Sequence, residues 1–383
     1  MQLFPQICWG NSVNRNGENS INGEGQKILM NRHKYWKITN VENRIEAFDF
    51  IRGALMILVI LQHAGIWYGE FILAFHMPMF FALSGCLYEI NFSGEKVNFG
   101  EYIKRKFSRL IVPYFFFELI GLVISYGVCV LNDSCIDLSK ALWSVVLCIN
   151  TEAYNGVMMR LWFLPCMFIC DVYFYLLYKF VKKSIACNII IMLIMFALSY
   201  LLSYSTIERF PFTVDIAIMG TAFILFGFLI HRIHRAISTN IGILWNGIIA
   251  ILSIGIMIVC VKNNYSRLLM FNDVYGNYLM AICGAIVGSV AFFIVFKQCY
   301  EICLKLKFNF IKKYIVWIGQ NTLEIFPMHL ILLYFASILL AKLKMNKWPL
   351  RAIVVLIIMV PIVNLIIHGK SYFELKKDKP IKN

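Results

Sequence analysis

Long runs of apolar residues dominate the pattern along this chain. Ten of them are each about twenty residues long, which is the length an α-helix needs to cross the hydrocarbon core of a bilayer. Backbone groups in lipid must find hydrogen-bond partners within their own segment, and the alternation of a β-barrel strand is absent, so we predict ten helices. The predicted spans are 47–68, 71–90, 110–131, 161–181, 185–204, 213–232, 241–261, 276–298, 321–342 and 349–368.

The composition agrees with an all-α, polytopic membrane protein. Hydrophobic residues make up 60% of the chain and charged residues only 15%, and the mean hydropathy is +0.72. Values this far from those of average globular domains exclude a soluble globular protein.

The net charge of +15 is distributed unevenly across the predicted membrane. Of the 36 Lys and Arg residues, 26 fall on the side that holds both chain ends, nine fall on the other side, and Arg52 lies within the first span. Basic residues concentrate on the cytoplasmic side of membrane proteins, so we predict cytoplasmic N- and C-termini. The charge therefore reports topology and gives no support for nucleic-acid binding.

Outside the spans the chain divides simply. Residues 1–40 are polar and rich in Asn and Gly, which predicts a disordered extension and not a signal peptide. Residues 41–370 form one membrane domain, and 371–383 form a short basic cytoplasmic tail. The apolar stretch 138–150 is too short to cross a bilayer, so it predicts an interfacial or re-entrant helix.

The first span carries three polar residues that are costly in lipid: Asp49, Arg52 and His63. Ionisable residues inside a span indicate a functional site by default. Arg52 and His63 are eleven residues apart, which is three helical turns plus about 20°, so both project from nearly the same face about 16 Å apart. Asp49 lies within roughly 60° of that face. The spacing predicts a polar stripe along this helix.

Five short patterns follow one another along the chain. They are Asp49-x-x-Arg52-Gly53 with His63; Phe75-His76-Met77-Pro78-Met79-Phe80-Phe81 with Ser84-Gly85; Lys104-Arg105-Lys106-x-x-Arg109-Leu110-x-x-Pro113-Tyr114; Leu161-Trp162-Phe163-Leu164; and Gly319-Gln320-Asn321-Thr322-Leu323 with His329. Together they resemble acyltransferase family 3, the integral membrane acyltransferases that O-acetylate glycans and other cell-surface acceptors. The second pattern looks closest to the fucose 4-O-acetylase-like subset.

The resemblance implies a membrane O-acyltransferase in the cytoplasmic membrane, with no metal. Its donor would be an acyl-CoA used from the cytoplasm, with acetyl-CoA the favoured form. Its acceptor would be a hydroxyl of a cell-envelope saccharide or of a lipid-linked glycan. Direct transfer and an acyl-enzyme intermediate both remain open.

The polar residues can support acyl transfer chemically. A neutral imidazole is suited to take the hydroxyl proton, which makes His63 the candidate base. Arg52 could hold the phosphopantetheine or polarise the thioester, or it could snorkel to the headgroups, and Asp49 could orient Arg52. His76 and His329 are further catalytic candidates, and we expect one of them to lie within hydrogen-bond or one-water reach of His63. Packing roles compete for both.

The basic residues that begin the third span predict a site for the donor. Coenzyme A carries three phosphate groups, which Arg recognises with paired hydrogen bonds, so Arg105, Arg109 and Lys104 are candidate donor ligands. Contact with anionic lipid is the alternative. The buried carboxylates Glu118 and Asp171 have no partner that the sequence selects.

A transporter is the second hypothesis. Buried His, Asp and Glu would also suit a proton-coupled transporter or flippase of a small or saccharide substrate. The basic cluster, the polar stripe and the absence of an inverted repeat with broken helices favour the enzyme.

Overall fold

The computed structural model describes the chain from the first span to the end of the last helix. The described ranges are 46–92, 98–131, 137–149, 161–204, 210–237 and 242–377. The predicted extension 1–40 lies outside the described residues, as does the end of the basic tail. Within these ranges twelve α-helices account for nearly all of the ordered structure, and the single pairing of extended residues is an isolated bridge between Leu269 and Val274.

The helices are numbered here in chain order. They are α1 (Glu46–Ala64), α2 (Gly69–Phe92), α3 (Phe99–Leu131), α4 (Leu138–Val146), α5 (Phe163–Val181), α6 (Ile185–Ser203), α7 (Val214–Ile237), α8 (Ile243–Asn263), α9 (Tyr278–Lys305), α10 (Asn309–Gln320), α11 (Thr322–Lys342) and α12 (Trp348–Lys377). Short 3₁₀ turns precede α7 at Pro211–Thr213 and α9 at Met270–Asn272.

Ten of these helices are long and apolar enough to cross a membrane, and each coincides with a predicted span. The prediction of an all-α polytopic membrane protein is therefore confirmed. Four helices extend at least five residues beyond the predicted ends: α3 begins at Phe99, eleven residues before the predicted start, and α7, α9 and α12 continue to Ile237, Lys305 and Lys377. The hydropathy pattern could not show these extensions, because a helix continues past the point where its side chains turn polar.

Two shorter helices lie between the spans. The predicted short helix is present as α4, whose N-terminus is capped by the Asp137 carboxylate accepting a hydrogen bond from the Lys140 amide. The hydropathy pattern does not predict α10, a twelve-residue helix in the connection between the eighth and ninth spans. One face of α10 is basic, which lowered its hydropathy below that of a span.

Two helices organise the packing of the bundle. Helix α1 packs against α2, α9, α10, α11 and α12, and α7 packs against α2, α5 and α6. The span that contains α7 is 83% buried, whereas the α8 span is 11% buried. The apolar surface of α8 therefore faces outward, as expected of a helix that contacts lipid.

Paired glycines bring two pairs of helices into backbone contact. A β-carbon on Gly53 of α1 would overlap the Ile315 carbonyl oxygen of α10, and one on Gly319 would overlap the Asp49 carbonyl oxygen. In α2 and α7, Gly85 and Gly227 approach the opposing backbone in the same way. Small residues at helix contacts are the usual means of close packing in membranes, because no hydrophobic force drives the helices together there.

The contact between α1 and α10 also has a fixed register. The Lys312 ammonium of α10 lies 2.8 Å from a carboxylate oxygen of Glu46, seven residues before Gly53, and Lys312 is itself seven residues before Gly319. The two helices therefore run parallel and in step.

We predict that Gly53→Ala and Gly319→Ala each destabilise the protein by about 1–3 kcal/mol, because the added methyl group forces two backbones apart. The midpoint of thermal unfolding in detergent measures the effect. Gly127→Ala in α3 is the matched control, since nothing lies within 4 Å of its added carbon. The control should be neutral or slightly stabilising. Equal midpoints for all three variants would show that the contact does not determine the packing.

Candidate active site

The polar stripe predicted on α1 is present in an unbroken helix. The Arg52 guanidinium lies 3.1 Å from a carboxylate oxygen of Asp49, one turn earlier, and this contact is both an ion pair and a hydrogen bond. Asp49 is buried, whereas Arg52 remains partly exposed. Since α1 is continuous from Glu46 to Ala64, the separation of about 16 Å between Arg52 and His63 along the axis holds.

His63 lies beside His329 of α11. The two ring centroids are 5.2 Å apart and the ring planes meet at 49°. His329 is 1% exposed, and its Nδ1 is hydrogen-bonded to the Phe326 carbonyl oxygen. A carbonyl only accepts hydrogen bonds, so Nδ1 carries the proton and Nε2 keeps a lone pair. This Nε2 atom is buried and has no hydrogen-bond partner among the described residues.

The two histidines are equally far along the chain from the glycine contact. Ten residues separate Gly53 from His63, and ten separate Gly319 from His329. The glycines face each other, and a break at Asn321 then separates α10 from α11. The contact between the two histidine rings shows that α11 brings His329 to the level of His63. The matched spacing was available in the sequence, but it has meaning only once the glycine contact is known.

The third candidate histidine makes a contact within its own helix. His76 is buried in α2, and its Nδ1 lies 2.8 Å from the carbonyl oxygen of Ile72, one turn earlier. A packing histidine would make the same hydrogen bond. A catalytic role for His76 therefore stays a prediction, and the structure places His329 next to His63.

An aromatic layer joins three of the sequence patterns beneath the histidines. The Phe163 ring of α5 contacts the rings of Phe80 and Phe81 of α2 and of Phe326 of α11, with centroids 5.9, 5.2 and 5.3 Å apart. Phe326 in turn lies 5.6 Å from the His329 ring. Trp162 is 7% exposed, so it packs inside the bundle and does not belong to an aromatic belt facing lipid.

The basic cluster on α3 is divided by burial. Lys104, Arg105 and Arg109 are exposed, as donor ligands or lipid contacts would be. Lys106 instead turns inward, where its ammonium lies 2.9 Å from a carboxylate oxygen of the fully buried Asp171. The structure thus supplies the partner for Asp171 that the sequence could not select.

Two tyrosines complete the surroundings of this buried ion pair. The Lys106 ammonium donates to the Tyr88 hydroxyl over 3.2 Å and lies 5.0 Å from the centre of that ring. The Tyr102 hydroxyl donates to Asp171 over 3.4 Å. The other buried carboxylate, Glu118, is hydrogen-bonded by the backbone of Leu161, which anchors the fourth pattern to α3.

A separate cavity of about 220 Å³ opens at the end of the bundle where α1 ends and α2 begins. Its wall includes Glu70 of α2 and Asn264, Tyr265 and Arg267 from the connection between α8 and α9. Within the described ranges, no group of three His, Cys, Asp or Glu side chains could hold a metal ion.

The sequence was compared with known proteins. The family model described as an acyltransferase domain matches residues 45–368, from the start of α1 into α12. The chain belongs to acyltransferase family 3. Searches of curated proteins and of solved structures found no match to this chain.

Membership of acyltransferase family 3 identifies the protein as a membrane acyltransferase. The five patterns that carried the resemblance are far apart in sequence, yet the structure connects four of them through the glycine contact, the histidine pair and the aromatic layer. The likeness to the fucose 4-O-acetylase-like subset stays a prediction, as do the roles of the individual site residues.

We predict that Lys106→Met destabilises the protein by about 3–5 kcal/mol, because it leaves the Asp171 carboxylate buried without its counter-ion. Asp171→Leu should be similarly harmful, and the double variant should lose less stability than the sum of the two. Thermal unfolding in detergent measures all three. Lys104→Met, which changes an exposed residue of the same helix, is the control and should leave the midpoint unchanged. Additive losses would show that the two residues do not interact.

Proposed function

We propose that this membrane acyltransferase moves an acetyl group from acetyl-CoA to a hydroxyl of a cell-envelope saccharide or lipid-linked glycan. The observation that carries the proposal is the pairing of His63 with the buried His329, at the far end of a helix whose other end holds the Arg52–Asp49 ion pair. His63 offers a basic nitrogen to the acceptor hydroxyl, and Arg52 of the same helix offers a cation to the donor.

In the proposed reaction His63 is the general base. It takes the proton of the acceptor hydroxyl as the oxygen attacks the thioester carbonyl, and the carbonyl oxygen becomes an oxyanion. The carbon–sulfur bond then breaks, the coenzyme A thiolate leaves, and the His63 imidazolium returns the proton to it. The products are an acetyl ester and free coenzyme A.

His329 is proposed as the residue that orients and steadies His63. Its Nε2 lone pair can accept a hydrogen bond from the His63 ring, directly or through one water. Such a bond fixes which His63 nitrogen faces the substrate and stabilises the imidazolium that forms during attack. A packing role would leave a buried acceptor without a partner, which is costly.

The donor is proposed to reach the histidines along α1 from the cytoplasmic side. An extended pantetheine arm is roughly 15–20 Å long, and about 16 Å separates Arg52 from His63. Arg105, Arg109 and Lys104 are exposed, and we propose that they bind the phosphates of coenzyme A by charge-assisted hydrogen bonds. The proposal requires the N-terminal end of α1 to face the cytoplasm, as the charge bias predicts.

We expect His63→Ala to lower the rate of transfer from labelled acetyl-CoA by about 10²–10⁴-fold, because the reaction loses its base. Purified protein in detergent or nanodiscs provides the assay, with the amount of folded protein checked by size-exclusion chromatography. His368→Ala, an exposed histidine near the end of α12, is the matched control and should retain full activity. Turnover like that of the unmodified protein by well-folded His63→Ala would refute the base assignment.

We expect Arg105→Ala and Arg109→Ala each to weaken acetyl-CoA binding by about tenfold or more, since each removes a charge-assisted hydrogen bond worth about 1.5–3 kcal/mol. Isothermal titration or microscale thermophoresis with a non-hydrolysable acetyl-CoA analogue measures the dissociation constant. Lys183→Ala removes an exposed charge from the connection between α5 and α6 and serves as the control. An unchanged affinity in both Arg variants would show that these residues do not bind coenzyme A, and would favour contact with anionic lipid instead.

A further inference from the structure

The helix that carries His63 ends immediately after it in a tight, glycine-dependent turn. Gly65 has a φ of +88°, and its amide donates to the Gln62 carbonyl while the Ile66 amide donates to the Leu61 carbonyl. These two hydrogen bonds form a Schellman motif, which needs glycine at its left-handed position. The chain therefore turns away from α1 two residues after His63 and exposes the end of the helix.

A guanidinium occupies the space above this turn. An Nη atom of Arg351, one turn into α12, lies 3.3 Å from the point where a β-carbon on Gly65 would stand. The Nε atom of Arg351 and the Oε1 atom of Gln62 are both buried and have no hydrogen-bond partner among the described residues. With the Nε2 atom of His329, three unpartnered polar atoms belong to the helices that meet at this end of α1.

Two tryptophans stand at the same end of these helices. Trp67, in the connection from α1 to α2, is 77% exposed, and its ring meets the ring of Trp348 at 6.4 Å and 66°. Trp348 is the first residue of α12, so Arg351 follows it by less than one turn. Trp67 thus follows His63 by four residues at the end of α1, and its ring contacts the residue that begins the turn of α12 carrying Arg351.

We propose that the surface formed by Trp67, Trp348, Arg351 and the Gly65 turn binds a pyranose ring of the acceptor. The inference rests on the proposed function. The carbon–hydrogen face of a pyranose is weakly positive and packs on the negative face of an indole. The guanidinium fork and the Gln62 amide can hydrogen-bond two ring hydroxyls, and a further hydroxyl then points down to His63.

Two simpler roles must be separated from this one. Tryptophans at the ends of spans often serve only to anchor helices at the membrane surface. A cation at the C-terminus of α1 is also favoured by the helix dipole, whatever it binds. Neither role explains why buried polar atoms near the turn lack hydrogen-bond partners among the described residues. Neither role predicts a change in KM for the acceptor.

The cavity lined by Glu70 and Arg267 is the competing acceptor site, because it opens at the same end of the bundle. None of the residues that line this cavity belongs to α12, so it is separate from the surroundings of Arg351. Its own Arg267 therefore offers a direct comparison with Arg351.

The test measures acetyl transfer from labelled acetyl-CoA to a panel of methyl glycosides: hexoses, 6-deoxyhexoses and N-acetylhexosamines. Arg351→Gln and Trp348→Leu should raise KM for the best glycoside at least about tenfold, since each removes a direct contact with the ring. The dissociation constant for acetyl-CoA should stay within about twofold. Arg351→Lys keeps the charge at the helix end but loses the planar fork, so its KM should remain raised.

One control is Arg267→Gln, which changes a residue of the cavity that is also lined by Glu70. The second is Trp245→Leu, which replaces an exposed tryptophan at the start of α8. Both should leave KM unchanged. A normal KM in Arg351→Gln and Trp348→Leu, full rescue by Arg351→Lys, or a raised KM in Arg267→Gln would each overturn the proposal.

Two outcomes with the unmodified protein also decide the matter. If the protein consumes acetyl-CoA but neither acetylates nor binds any glycoside, this surface does not bind a pyranose. The present inference alone is then refuted. If the protein neither binds nor consumes acetyl-CoA, the proposed function fails as well.

Discussion

The contact between the backbones of α1 and α10 is the constraint on which the rest of the site depends. Glycines at 53 and 319 let the two helices approach until any side chain would overlap a carbonyl oxygen. Such a contact tolerates no sliding, because a shift of even one residue would bring a β-carbon into the opposing helix. The Glu46–Lys312 ion pair adds a second point of attachment about two turns away. With the register fixed at two points, the start of α11 is held close to α1, and His329 of α11 contacts His63.

Burial determines which charges in this bundle are structural and which are available for a ligand. Lys106 is one of four cations on the first turns of α3, and nothing in its sequence neighbourhood distinguishes it from Arg105. Lys106 forms an ion pair with Asp171, whereas the other three cations of this cluster are exposed. A buried pair of this kind contributes little net stability relative to an apolar pair, but neither partner can be removed alone without a large cost. It fixes α3 against α5, and so fixes the direction in which the exposed cations of α3 point.

Much of the fold could be predicted from the sequence, and the reason is the bilayer. Length and hydropathy suffice to locate ten spans, since lipid allows hardly any other backbone structure. Helix α10 could not be predicted in this way, because the hydropathy of a short helix with a basic face does not differ from that of a loop. Within the site, the stripe on α1 was predictable because three residues of one helix are related by a known rotation. The pairing of His63 with His329 was not, because it depends on the register between two helices that are about 260 residues apart in the chain.

The continuity of α1 has a consequence for how transfer across the bundle can occur. A transporter moves its substrate by exposing one central site to each side in turn, which requires helices that break or rock. Here the candidate base lies in the last turn of an unbroken helix, and the cation stands about three turns below it on nearly the same face. An extended pantetheine arm would match that distance on the proposed function, and the acyl group would reach the far end of α1 while the nucleotide stayed at the near end. On the proposed function, the donor spans the bundle and the protein need not alternate. The rigid glycine contact beneath the histidines would then serve catalysis directly, because it holds the reacting groups at a constant distance from the donor's phosphates.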